Sequence, residues 1–214
     1  MEKSDFDGYD IVYKFQDQLE GEQKSALNTE ITRSIRNPYC GAVIRKYKED
    51  FPIWAFVEII SFGRFISFYR FCATELKNNM LLNESYLLSF IKELRNAAAH
   101  NNCILNDLSP RTAMHSTNFH VAKALGMLDI PKHVHKNKMS NIRTQQIVTL
   151  LYAHKQLVTS EGVHKQACIL LNDLIERMFL NISFYRENDM ITSTFSFLKK
   201  VVDSWFGLKY NNDT

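Results

Sequence analysis

Seven glycines and four prolines are the strongest backbone breakers in a chain of 214 residues, and this scarcity constrains the fold more than any other feature. A β-sandwich or barrel needs a turn about every ten residues, and tight turns draw on these two residue types. Long flexible linkers draw on them as well. What remains is a chain able to run in helices, and apolar residues recur at helical spacing along most of it. Hydrophobic residues at 45% and charged residues at 23% match a globular protein rather than a disordered or membrane-embedded one. The expected fold class is all-α. At roughly 150 residues per domain the length allows one to two domains. One compact unit over 1–214 is favoured, with N-terminal helices over 1–37, a core over 38–206 and a tail over 207–214.

Asp10 to Ile35 shows helical periodicity broken near Gly21, which predicts two short amphipathic helices ahead of the Asn37-Pro38 turn. Ile53 to Cys72 follows Pro52 and is crowded with apolar and aromatic side chains, so one helix buried nearly all round is expected there. Charges at Glu58, Arg64 and Arg70 keep it from being a bilayer-spanning segment. A buried Glu58 would pair with a neighbouring arginine. Asn83 is the expected cap of a helix over 84–100, Ser140 and Ser160 of helices over about 141–158 and 161–181. A last helix is expected over about 192–206. Between His100 and Ser140 the pattern weakens at Ser109-Pro110, Gly126 and Pro131, leaving a loop-rich insert with one short helix from Asn118 to Leu128.

The net charge of +3 is unevenly spread. Residues 1–30 carry a net −5, whereas 110–145 carry +5 before any histidine protonates. A basic middle segment of this kind meets either a polyanion or only solvent. The four cysteines, at 40, 72, 103 and 168, form no close pair, which fits a reducing cytoplasm. The acidic N-terminus, MEKSDFDGYD, does not read as a secretory signal. His115, His120, His133 and His135 follow no known zinc spacing, so no metal ligand set is expected. Tyr9, Tyr13 and Phe15 read as core residues that could alternatively stack bases.

The helix ending in LRNAAAH places Leu87, Phe90, Ile91, Leu94, Ala97 and Ala98 in an arc of about 120° at 100° per residue. That arc is the expected core face. Measured from Leu87, Arg95 lies at about 80°, Asn96 at about 180° and His100 at about 220°, so Asn96 and His100 are neighbours on the outer face. Histidine moves protons near neutral pH, and arginine holds a phosphate through fixed charge and paired hydrogen bonds. Cleavage of RNA through the ribose 2′-hydroxyl needs these two groups. His100 also reads as a last-turn residue favoured by the helix dipole, with Asn101 and Asn102 as C-cap candidates.

RNAAAH resembles the R-N-x-x-x-H motif of the HEPN superfamily, and its surroundings resemble the Abi-like abortive-infection proteins. FPIWAFVEIISFGRFISFYRFC, at 51–72, is similar to that family's signature segment. LRNAAAHNNCILN, at 94–106, matches the family's usual pattern at Arg95, Asn96, Ala99, His100 and Asn106. KMSNIRTQQIVTLLYAHKQLV, at 138–158, is similar to a downstream helix of some members. Asn101 stands where the family often has a second histidine, and Cys103 where an arginine follows. The resemblance, over about 38–206, implies a HEPN-type helical bundle that cuts RNA without a metal or other cofactor, with Arg95, Asn96 and His100 as catalytic residues. It implies a homodimer in which two motifs share a cleft, and an antitoxin or non-coding RNA as inhibitor. Arg95 and His100 diverge by about 140° on one helix, which independently favours two copies. The expected RNA-binding residues are Asn101, Arg111, Lys132, His133, His135, Lys136, Lys138 and Arg143. A non-catalytic RNA-binding or protein-interaction module, or the helical partner of a nucleotidyltransferase, would use the same fold without turnover.

Overall fold

A computed structural model describes residues 7–48 and 50–208 of the chain. The acids Glu2 and Asp5 and most of the 207–214 tail lie outside the described residues. The described residues are helical without a β-strand, and the chain is all-α. None of their helices is long and apolar enough to cross a membrane. Two compact units divide the chain, 1–86 and 87–214, and the division falls within one helix.

The first unit contains α1 (Tyr9–Asp17), α2 (Gly21–Ser34), α3 (Gly41–Tyr47), α4 (Ile53–Ile59), α5 (Phe62–Glu75) and the beginning of α6 (Asn79–Ala99). Its core is aromatic. Phe15 meets Phe68 edge-on at 5.1 Å between ring centroids and Phe56 at 6.0 Å, while Phe56 and Phe68 stand 5.1 Å apart. All three rings are buried, and burying each contributes about 2–3 kcal/mol before chain entropy is subtracted. Phe15 is thus a core residue, while Tyr13 of the same helix is exposed. Gly41 is required where α3 begins, because a Cβ there would stand 2.3 Å from the Ile35 carbonyl oxygen.

Three expectations need correction in this unit. The apolar stretch from Ile53 to Cys72 is two helices, not one: Ile60 takes an extended backbone with ψ 154°, and Ser61 caps α5 by accepting the Arg64 N–H. Glu58 is exposed, since α4 turns Ala55, Phe56 and Ile59 inward, and Arg64 approaches Glu30 of α2 at 3.9 Å instead. Helix α6 begins at Asn79 rather than near Glu84, because the Asn78 carboxamide oxygen accepts the Met80 and Leu81 N–H groups at 3.0 and 3.2 Å.

The second unit holds the rest of α6, then α7 (Phe119–Gly126), α8 (Lys132–Lys138), α9 (Ile142–Leu157), α10 (Glu161–Leu180), a 3-10 turn (Ile182–Tyr185) and α11 (Asp189–Phe206). Its core gathers Val148 and Leu151 of α9, Cys168 and Ile175 of α10, and the α11 stripe Leu198, Val201, Val202 and Trp205. Val121 and Leu125 of α7 join the same cluster. Ser160 caps α10, as expected. Helix α9 is capped by Asn141 rather than Ser140, and α11 is capped by Asn188, so that it starts at Asp189, three residues earlier than expected. The insert is less loop-rich than its sequence implies: besides α7, residues 132–138 form α8 directly after Pro131. The pattern KHVHKNK hides this helix because it lacks an apolar stripe.

Candidate functional site

Leu94 is the last residue of α6 that the core buries. Beyond it the helix projects clear of its packing, with Arg95, Ala98, Ala99 and His100 exposed and Asn96 and Ala97 half-buried. Ala98 lies on the arc expected to face the core, yet it is exposed because the core ends one turn earlier. The Arg95 Nη1 donates to the Asn96 Oδ1 at 3.2 Å. This bond draws the guanidinium round the helix toward Asn96, and His100 follows one turn on. The angular divergence calculated from Cα directions is therefore narrowed by the length of the arginine side chain.

His100 ends the helix. Its N–H donates to the Asn96 carbonyl at 3.1 Å, the Asn101 N–H to Ala98 at 3.1 Å, and the Asn102 N–H to Ala97 at 2.9 Å. The last two bonds form a Schellman motif, in which the residue after the C-cap turns left-handed. That residue is Asn101, at φ 53°, and asparagine tolerates this conformation better than most side chains. The expected C-cap role of Asn101 and Asn102 and the projecting position of His100 thus coexist. The helix end is closed by main-chain bonds, and the exposed imidazole makes no hydrogen bond among the described residues.

The basic insert builds a separate feature. Arg111, Lys132, His135 and Lys136 line a groove of about 570 Å³, together with Met114, Leu125 and Met139. None of the residues lining it is acidic. The loop over one side is tied down by α9: the Asn141 Nδ2 lies 3.0 and 2.9 Å from the Asp107 and Ser109 carbonyls, and the Gln145 Nε2 donates to the His115 carbonyl at 3.1 Å. Asn141 and Gln145 are both buried. The His115 ring also meets Phe90 of α6 edge-on, 6.3 Å between centroids.

The other expected RNA-binding residues are placed differently. His133 is exposed on α8. The Lys138 Nζ donates to the Ser193 and Thr194 hydroxyls of α11 at 2.6 and 2.9 Å, and partial burial lowers its pKa. Arg143 approaches the Gln146 side chain at 3.5 Å and helps hold the Asp107 carboxyl below its ordinary pKa, behind the larger effect of hydrogen bonds from Ser109. No group of three or more His, Cys, Asp or Glu side chains disposed to hold a metal ion occurs among the described residues.

Residues 2–106 match the family model of the Abi-like proteins. The chain belongs to the Abi-like family over that span. No curated protein and no solved structure matches the chain. The Abi-like match starts well before the segment near residue 38 from which the resemblance is legible by eye. It ends at Asn106, six residues past His100, and so includes the whole Arg95–His100 helix end. The groove and the 138–158 helix lie beyond it. Sequence reasoning names neither the uncharged Met114 and Met139 of the groove nor the buried Asn141 and Gln145 that hold its loop. A signal was present in the polar run SNIRTQQ, whose one apolar residue is Ile142 and which opens an otherwise apolar-rich helix.

Proposed function

We propose that the chain is a metal-independent endoribonuclease of the HEPN type, acting on RNA in abortive infection. Membership in the Abi-like family supports the defence role. The observation that carries the chemistry is the end of α6, where a linked Arg95–Asn96 pair and an exposed His100, without a hydrogen-bond partner among the described residues, stand about one turn apart, clear of the core. His100 takes the proton from the 2′-hydroxyl as general base, or delivers one to the departing 5′-oxygen as general acid. Arg95 stabilises the charge that builds on the phosphate as the 2′-oxygen attacks. Asn96, through its bond to Arg95, holds the guanidinium in place.

The working unit is a homodimer with two helix ends facing each other across a two-fold axis. Exposed Ala98 and Ala99 keep the approach narrow, and an RNA phosphate between the paired Arg95 side chains offsets their repulsion. An antitoxin or non-coding RNA would inhibit by covering the same surface. Mixing His100→Ala with Arg95→Ala protein tests the composite site. Each variant alone is inactive, and the mixture recovers a measurable fraction of RNA cleavage in EDTA, because one of the two sites in a mixed dimer regains an intact Arg95 and an intact His100. A mixture as inactive as its components, under conditions where light scattering detects exchanged dimers, contradicts a shared cleft.

A further inference from the structure

The groove of the basic insert is set before any ligand arrives. Arg111 holds a left-handed backbone at φ 64°, a conformation that residues with a Cβ seldom adopt. It is kept there by its N–H, which donates to the Ser140 Oγ at 3.0 Å, and by the Ala113 N–H, which donates to the Ser140 carbonyl at 2.9 Å. Thr112, between them, is fixed by contacts to Asn141 Nδ2 at 3.2 Å and the Ile142 N–H at 3.1 Å. A strained residue held by its whole surroundings points toward a site.

The lining has two chemical halves. Arg111, Lys132 and Lys136 supply positive charge, and none of the three pairs with a carboxylate among the described residues. Met114, which is exposed, supplies an apolar wall, and Leu125 and Met139, which are almost wholly buried, lie beneath it as the floor. A volume of about 570 Å³ falls in the range of small-ligand sites, roughly 300–1,000 Å³. The outer phosphates of a duplex would satisfy the cations and leave the apolar wall empty. An unpaired base with its phosphate fills both halves.

We propose that this groove binds a nucleoside phosphate, presented as one unit of an unpaired RNA strand, with the phosphate on Arg111, Lys132 and Lys136 and the base against the exposed Met114. This rests on the reading of the chain as an RNA-cleaving enzyme and specifies its substrate class as single-stranded. Position supports it. The groove loop touches α6 through His115 and Phe90, and Phe90 precedes His100 by about 15 Å of helix axis. A strand seated in the groove is therefore a few nucleotides from the motif.

Fluorescence anisotropy on the full chain carrying His100→Ala, with a short labelled RNA, reads binding without cleavage. The single strand binds about tenfold or more tightly than its duplex, since removing one face of a base from water against an apolar side chain contributes on that scale. Unlabelled 5′-UMP displaces it while inorganic phosphate at the same concentration does not. Adding Arg111→Gly with Lys136→Ala weakens binding about tenfold or more and flattens the salt dependence by about 1.4, or 0.7 per lost phosphate contact. Glycine suits the backbone at residue 111, and an unchanged melting temperature verifies the fold. Equal affinity for duplex and single strand, displacement by inorganic phosphate as effective as by 5′-UMP, or unchanged affinity in the double variant would overturn the proposal. Binding of 5′-UMP without binding of the oligonucleotide would overturn its assignment to an RNA strand. Base-dependent binding by a protein that never cleaves RNA refutes the nuclease reading alone, whereas cleavage without base-dependent binding refutes the groove alone.

Discussion

Arg95→Ala and His100→Ala proteins each lose RNA cleavage by at least about a hundredfold, while their melting temperatures stay within about 2 °C of the wild type. The catalytic half of this expectation follows from roles: a positioned proton carrier contributes on the order of 10²–10⁴ in rate, and a cation aimed at developing charge about 10²–10³. The stability half follows from placement. Both side chains are exposed beyond Leu94, where the core stops, and surface changes of this kind cost within about 0.5 kcal/mol. In a chain of this length that is about 1–2 °C. The cap at the end of α6 survives either change, because its bonds run from the main chain of Asn101 and Asn102 to Ala98 and Ala97. A fall of more than about 5 °C in His100→Ala, measured by calorimetry, would mark the histidine as a structural cap instead.

Asn141→Leu has the largest expected effect on stability. The native carboxamide lies within hydrogen-bond distance of the Asp107 and Ser109 carbonyls and the Thr112 hydroxyl, while its oxygen accepts the Thr144 N–H at 2.9 Å. Leucine fills similar space but removes the α9 cap, worth about 1 kcal/mol, and takes the donor from the partly buried bonds to the Asp107 and Ser109 carbonyls, at about 1 kcal/mol each. A loss of about 2–4 kcal/mol is expected, read from urea unfolding, together with faster hydrogen exchange over 107–117. Affinity for single-stranded RNA falls with it, because the loop carrying Arg111 and Met114 is released. A change below about 1 kcal/mol with unaltered exchange would show that the loop is held by other means.

The helical class of this chain is legible because its few breakers leave helical periodicity little competition, and Ser160 marks the start of α10 as its residue type demands. The helix end bearing Arg95, Asn96 and His100 is legible for a related reason: polar groups off a clear apolar arc read as surface, and they are surface or half-buried. What stays hidden depends on tertiary packing. The break at Ile60–Ser61 is masked by apolar neighbours on both sides, so a capping serine reads as part of one helix. The exposure of Ala98 depends on where the core ends, which no local spacing records. Lys138 shares its charge with Lys132 and Lys136 in sequence, yet α11 brings Ser193 and Thr194 to its ammonium from more than fifty residues away. Asn141 and Gln145 are buried polar anchors, and only the backbone they hold reveals them.

The most direct measurement is the chemistry of the cut ends. Purified protein incubated with end-labelled RNA in EDTA, beside the His100→Ala variant, should leave 2′,3′-cyclic phosphate and 5′-hydroxyl termini in the wild-type lane alone. Cleavage that depends strictly on Mg²⁺, or products ending in a 3′-hydroxyl, would contradict attack by the ribose 2′-oxygen and with it the role assigned to Arg95 and His100.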